Sequence, residues 1–264
     1  MTQEVKITAG IDIGSTTSKA VILVDGKMAS YYIGDSTVNP KKTARLVFQE
    51  ALNRSGIDEK EIQYIVGTGY GRAKVDFAHE NISEISCHAK GSYYLLPGVR
   101  TIIDIGGQDT KAISISPPGI IREYSMNDKC AAGTGRFLDF MARTMGMTIQ
   151  KMIDIHFEEG EPAIISNMCS VFAESEVINL INEEVPLPSI IKGLHKSVAN
   201  RVNTLVQRVG PKKEYVITGG VAKNKGVVEM LEKTLGVKFA SFPENIDPQI
   251  IGALGAAVIA SERK

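Results

Sequence analysis

The sequence predicts an α/β protein built of two related lobes that face each other. Three observations lead there. A β-patterned segment carrying an Asp-Ile-Gly turn occurs twice, at 11–22 (IDIGSTTSKAVI) and 103–114 (IDIGGQDTKAIS); Ile, Asp, Ile, Gly, Lys and Ala coincide at a constant offset of 92, Asp12 to Asp104. Further on, each copy is followed by a short apolar run that opens into glycines, 62–66 before Gly67-Thr68-Gly69-Tyr70-Gly71 and 215–218 before Gly219-Gly220. The chain is also long enough, with 264 residues against roughly 150 per domain.

The elements follow in order. Each Asp-Ile-Gly segment leads to a tight turn, Val24-Asp25-Gly26-Lys27 or Pro117-Pro118-Gly119, and then to a β-rich stretch, 28–33 or 120–124. Each copy therefore reads as three antiparallel strands joined by hairpins, because Gly and Pro supply the turn conformations between alternating segments. Residues 39–56 read as a helix, with Pro40 near the start and Gly56 as its C-terminal cap. Residues 188–210 carry Ile191, Leu194, Val198, Val202, Leu205 and Val209 on one helical stripe. Helices at 224–235 and 250–260 close the chain. The natural cut lies at Leu96-Pro97-Gly98, giving lobes at 1–96 and 97–264, with the C-terminal helix expected to cross back. The period is too long for a solenoid repeat.

Composition narrows the function. Lys plus Arg and Asp plus Glu both total 30, so the formal charge is zero. That gives no basic excess to suggest nucleic-acid binding. Hydrophobic residues at 43% and charged residues at 23% suit a folded globular chain. No apolar run approaches the ~18 residues that span a bilayer, and MTQEVKITAG lacks the basic-then-apolar layout of a signal peptide. A cytoplasmic protein, without membrane or nucleic-acid partners, is expected. Its three cysteines, Cys87, Cys130 and Cys169, do not form an even set, which argues against a disulfide framework.

The two Asp-Ile-Gly turns carry phosphate chemistry. Glycine lets backbone N–H groups approach phosphate oxygens. Hydroxyls such as Ser15, Thr16 and Thr17 add donors, and Lys19 adds charge if it points back from the next strand. A carboxylate at a strand end, Asp12 or Asp104, can hold Mg²⁺ through water, since Mg²⁺ keeps much of its hydration. One such turn alone reads as an ordinary hairpin; two matched copies with two Gly-rich loops read as a site. No GxxxxGK[ST] loop occurs. A Rossmann fingerprint does not fit either, because a strand rather than a helix follows the first glycine turn.

The pattern resembles the acetate-kinase, sugar-kinase, heat-shock-70 and actin superfamily. The likeness implies two ribonuclease-H-like lobes with a nucleotide cleft between them, holding Mg–ATP. It places Gly14 to Thr17 and Gly106, Gly107, Gln108 and Asp109 on the phosphates, and Asp12 and Asp104 on Mg²⁺ and water. Gly219-Gly220-Val221-Ala222 and Gly252-Ala253-Leu254-Gly255 resemble its nucleoside-side loops, and Gly133 and Asn224 join the expected cofactor set. Gln108 or Asp109 is expected to orient the attacking water, by analogy with other phosphoryl-transfer sites.

Cys130 and Cys169 lie in NDKCAAGTGRF and CSVFAESE. Both are expected at helix starts, with Ser170 as an N-cap, where orphan N–H groups favour thiolates and anions. Two thiols cannot complete a four-thiolate site, whereas two copies of the chain can. A [4Fe–4S] cluster, zinc, or two buried structural thiols all remain open on that ground.

The full words, with GIDIGSTTSK, GTGYGR, SEISCHAKG, IDIGGQD, TGGVAKN and GALGAA, resemble the activator family of 2-hydroxyacyl-CoA dehydratases. Benzoyl-CoA reductase ATPase subunits and double-cubane-cluster protein reductases are included in that likeness, which runs through nearly the whole chain. It implies a homodimer with one [4Fe–4S] cluster at the interface, ligated by Cys130 and Cys169 of each subunit, while Cys87 stays structural and His88 a partly buried, satisfied histidine. It also implies an ATP-dependent one-electron reductase. Reduced ferredoxin or flavodoxin is the expected donor, an iron–sulfur enzyme the acceptor, and Mg–ATP binding and hydrolysis the drive. Asn167-Met168 stand where the family often carries small hydroxyl residues. A small-molecule kinase of the same fold is the alternative, and an actin-like filament or chaperone module a third; both leave Cys130 and Cys169 without a role.

Overall fold

A computed structural model describes residues 5–165 and 169–263. The chain divides into two units, Met1–Ile102 with Ile115–Arg122 and Ser241–Lys264, and Ile103–Ser114 with Glu123–Ala240.

The first unit opens with β1 (Ile7–Ile13), β2 (Thr17–Val24) and β3 (Lys27–Asp35). These are the expected antiparallel hairpins, with Asp12 opposite Lys19 and Thr17 opposite Asp35. Next come α1 (Pro40–Ser55), β4 (Tyr64–Thr68), the two-residue β5 (Glu80–Asn81) and α2 (Glu84–Leu95). The strand order is β3-β2-β1-β4-β5, and β4 runs parallel to β1. A strand paired on both sides and covered on both faces must be apolar throughout, and β1 is buried at every residue. The α1 ends follow capping chemistry: Asn39 accepts from Lys42 N–H, and Gly56 takes the left-handed φ of +70° that ends the helix. Val47, Phe48, Ala51 and Leu52 of α1 pack in one core with Ile11, Ile22 and Ile65.

A second sheet, most of whose residues lie in the second unit, is ordered β8-β7-β6-β9. Its strands are β6 (Thr101–Ile105), β7 (Thr110–Ser116), β8 (Ile120–Asn127) and β9 (Tyr215–Thr218). Between β8 and β9 lie α3 (Gly135–Thr144), α4 (Ile149–His156), α5 (Ser170–Asn182) and α6 (Leu187–Arg208), and α7 (Lys225–Leu235) follows β9. The α6 stripe is buried at Ile191, Leu194, Val198, Val202 and Leu205, as its spacing predicted. This core also takes Ile103, Ile105, Leu138 and Val177.

The last helix, α8 (Ile251–Ser261), packs in the first unit on β1 and α2. Its small residues permit close approach. A Cβ on Gly10 would lie 2.0 Å from Ala253 O, and one on Gly91 would lie 2.3 Å from Ile251 O. That contact brings Gly252 over the end of β1. No helix among the described residues is long and apolar enough to cross a membrane.

Candidate functional site

The first turn is built on Asp12, 6% exposed at the end of β1. Strand register brings Lys19 back to it: Nζ lies 3.7 Å from Asp12 Oδ2 and donates to Thr17 O at 3.2 Å. Ser36, which sequence reading missed, clamps the turn from beyond β3. Its Oγ donates to Gly14 O at 2.7 Å and its N–H to Thr16 O at 2.8 Å. With those carbonyls bonded, the turn offers an incoming ligand mainly N–H and hydroxyl donors, the groups an anion needs. Ser15 and Thr17 are half-buried and Thr16 is exposed.

Two glycines bring backbone against Asp12. Gly69 has a φ of +87°, and a Cβ there would lie 2.3 Å from Asp12 Oδ1 and 2.6 Å from Ile13 O. A Cβ on Gly252 would lie 2.9 Å from Asp12 Oδ2 and 3.0 Å from His88 Nε2. The expected Gly252 thus faces the carboxylate, beside the buried His88.

The second turn repeats this design with a tighter charge arrangement. Lys111, 92 residues after Lys19 and in the same place in its repeat, is 3% exposed in its side chain. Its Nζ lies 3.2 Å from Asp104 Oδ2 and 2.8 Å from Asp109 Oδ2. Thr218 donates its hydroxyl to Asp104 Oδ1 at 2.9 Å. Gly219 mirrors Gly69: its φ is +85°, and a Cβ would lie 2.8 Å from Asp104 Oδ1 and 2.4 Å from Ile105 O. Lys111 was visible in the sequence as a repeated residue but was not singled out. Both oxygens of Asp104 and one of Asp109 therefore already have protein partners.

Around this turn the expected residues take distinct places. Gln108 is exposed, and with its amide oxygen turned to the donors it accepts from the Arg136 guanidinium, Nη2 at 3.1 Å. Gly106 N–H bonds Asp109 O at 2.9 Å. Gly133, φ +91°, accepts from Thr110 Oγ1 at 2.7 Å. Gly220 and Val221 begin the short turn after β9. Asn224 caps α7 through Oδ1 to Val227 N–H at 3.1 Å, which leaves its buried Nδ2 without a partner among the described residues. Such a buried donor suits a ligand acceptor, since an unpaired buried amide is costly.

The cysteines separate into two kinds. Cys87 is fully buried, and burial pushes its thiol up to about 12 against a hydrogen bond with Thr68. Cys130 and Cys169 are half-buried free thiols. Helix placement needs two corrections. Cys130 does not start a helix; it sits in the loop before α3, because Gly133 turns left-handed and the extended Thr134 caps the helix. Asn127 Nδ2 holds that loop by donating to Cys130 O at 2.8 Å. Cys169 does stand at the start of α5, but as the N-cap itself (φ −145°, ψ 141°), so Ser170 is the first helical residue. Among the described residues the Cys169 side chain makes no capping bond. Asn167 and Met168 lie outside the described residues. Among the described residues no group of three or more His, Cys, Asp or Glu is placed to hold a metal ion.

One buried cluster had no sequence signal beyond two lone histidines. His156 Nε2 meets Glu229 Oε2 at 2.9 Å, and His156 Nδ1 meets His195 Nδ1 at 3.0 Å. Burial pushes the His195 ring down to about 3, with His156 beside it adding to the effect. Burial likewise lowers His156, opposed by Glu229.

A protein-family model matches residues 9–260, that of the BadF/BadG/BcrA/BcrD ATPase family. The chain belongs to this family. It is 48% identical to the activator of lactoyl-CoA dehydratase from Anaerotignum propionicum, over 97% of each chain. Among solved structures it is similar to the activator of 2-hydroxyisocaproyl-CoA dehydratase from Clostridium difficile with bound ADPNP: 40% identity, TM-score 0.90, covering 97% of this chain and 94% of that one. A ROK-family glucokinase from Streptomyces griseus, 14% identical with a TM-score of 0.55 over 97% of this chain and 100% of that one, shares the fold alone. The two sheets with their helices are thus the two-lobed α/β fold that the duplicated turns predicted.

Proposed function

We propose that the chain is an ATP-dependent one-electron reductase that activates an iron–sulfur enzyme of the 2-hydroxyacyl-CoA dehydratase kind. The observation that carries this reading is 48% identity over nearly the full length of a dehydratase activator, in a chain that also holds two half-buried free thiols. Reduced ferredoxin or flavodoxin is the donor, and the working unit is a homodimer.

The residues present fit both the nucleotide and the cluster. N–H and hydroxyl donors of Gly14 to Thr17 bind phosphate oxygens, Lys19 supplies charge, and Asp12 positions Mg²⁺ through water. At the second turn the backbone N–H groups of Gly106 and Gly107 bind phosphate oxygens, and Asp104, held with Asp109 by Lys111, positions Mg²⁺ and water. Gln108 or Asp109 orients the water that attacks the γ-phosphate, and Asn224 Nδ2, Gly133, Gly219, Gly220, Val221 and Gly252 face the rest of the nucleotide. Cys130 and Cys169 offer two thiolates per chain, half the donor set of a four-thiolate site. A [4Fe–4S] cluster bound by two copies would supply the low-potential electron. Cys169, at the N-cap of α5 with no side-chain capping bond among the described residues, presents its sulfur where orphan N–H groups stabilise negative charge.

Anoxic purification tests the reading. It expects a brown dimer with about two iron and two sulfide per chain; Cys130→Ala and Cys169→Ala lose both, and Cys87→Ala keeps them. A colourless monomer that phosphorylates a small molecule would overturn it in favour of the kinase alternative.

A further inference from the structure

The second Asp–Gly turn and the Cys130 loop belong to one hydrogen-bonded piece of the second unit. Gly135 N–H donates to Gly106 O and Arg136 N–H to Gly107 O, both at 2.9 Å. Thr110 donates to Gly133 O at 2.7 Å, out of contact with water. Asn127 then grips the carbonyls of Cys130 and Ala132 at 2.8 and 3.4 Å. These bonds tie the turn to residues 130–136.

One link in this piece is charged and poorly matched. The Arg136 guanidinium rests on the neutral amide of Gln108. Guanidinium prefers phosphate, which it meets with two parallel bonds between opposite charges, where Gln108 offers a single neutral acceptor. Gln108 is exposed, so exchanging its partner disturbs no core packing.

We propose that Arg136 is the positioning residue through which a bound polyphosphate acts on Cys130: the phosphate draws the guanidinium off Gln108, and the shift passes through the first turn of α3, Gly133 and Thr110 to the Cys130 loop. The inference rests on the nucleotide reading of this turn. It makes the loop looser, and Cys130 more accessible, when triphosphate is bound.

The test uses the full-length chain freed of iron. Alkylation of Cys130 by a small thiol reagent is followed by peptide mapping, which separates it from Cys169; Cys87, buried and with its thiol at about 12, serves as the unreactive internal control. Saturating Mg–ATP should raise the Cys130 rate roughly tenfold, the scale of one charge-assisted hydrogen bond, and Mg–ADP should raise it less. Arg136→Gln should still bind Mg–ATP at saturation yet lose the response, and Arg136→Lys, which keeps the charge but not the fork, should recover part of it. Thr110→Val, outside the phosphate contacts, should bind as wild type and also lose most of the response. Mg–ATP binding with an unchanged Cys130 rate, or a full response in Arg136→Gln and Thr110→Val, overturns the inference alone. A folded wild-type chain that binds no Mg–ATP overturns the nucleotide reading beneath it.

Discussion

Lys111→Met removes a cation whose side chain is 3% exposed and leaves Asp104 and Asp109 behind. Asp104 is 4% exposed, so water cannot replace the lost partner there. The Thr218 hydroxyl at 2.9 Å stays on that carboxylate. Breaking a buried ion pair from one side costs about 3–5 kcal/mol, because an uncompensated charge stays buried. Asp109, with 23% of its side chain exposed, recovers hydration, which places the expected loss near the lower end, about 3 kcal/mol. For a chain of this size that lowers the melting midpoint by roughly 6–12 °C. Lys19→Met removes one longer ion pair at 3.7 Å and a bond to Thr17 O at 3.2 Å and should cost less. Urea unfolding followed by far-ultraviolet circular dichroism reads both, and Lys111→Met combined with Asp104→Asn should restore part of the loss, since the two sites share one interaction. A Lys111→Met loss below about 1 kcal/mol, the range of an exposed pair, would refute the buried double pairing as the support of this turn.

Other outcomes follow from single contacts. Gly219→Ala places a methyl 2.4 Å from Ile105 O at a φ of +85° and should abolish Mg–ATP binding by displacing the turn; Gly236→Ala, with nothing within 4 Å at a φ of +65°, should cost only about 1 kcal/mol, as paired melting and binding titrations will show. Acid should weaken the chain through His195. Its folded ring sits at about 3 against about 6.5 unfolded, so the unfolded state alone takes up the proton as pH falls through about 6.5, and stability drops by about 2 kcal/mol between pH 8 and pH 5. His195→Gln should flatten that part of the profile, and an unchanged slope would remove His195 from the account.

Much of this fold was readable because it is written twice. The repeated Asp, Gly and Lys identified the turns before any coordinates, and both glycine loops proved to press on the matching carboxylates at nearly the same positive φ. Strand and helix ends with strong local chemistry, such as Asn39, Gly56 and Asn224, fell where capping required. Cys130 was misplaced because amphipathic spacing after it is genuine, but Gly133 and Thr134 set the helix start later than periodicity alone can show. Contacts made between distant segments left no local mark. Ser36 on Gly14, Thr218 on Asp104 and the His156–His195–Glu229 chain depend on tertiary pairing. So does the tie between Gln108 and Arg136, which no motif spacing announces.

Nucleotide-dependent extraction of iron by an absorbing chelator, under strict anoxia, tests most directly whether this ATPase-family chain couples ATP to a cluster held by Cys130 and Cys169. A ligand moves an equilibrium only if it binds two states unequally, so the apo, ADP and ATP forms should differ. The account predicts slow extraction without nucleotide, and faster extraction with Mg–ATP or a non-hydrolysable analogue than with Mg–ADP. Equal rates in all three states, or no iron to extract, would contradict it.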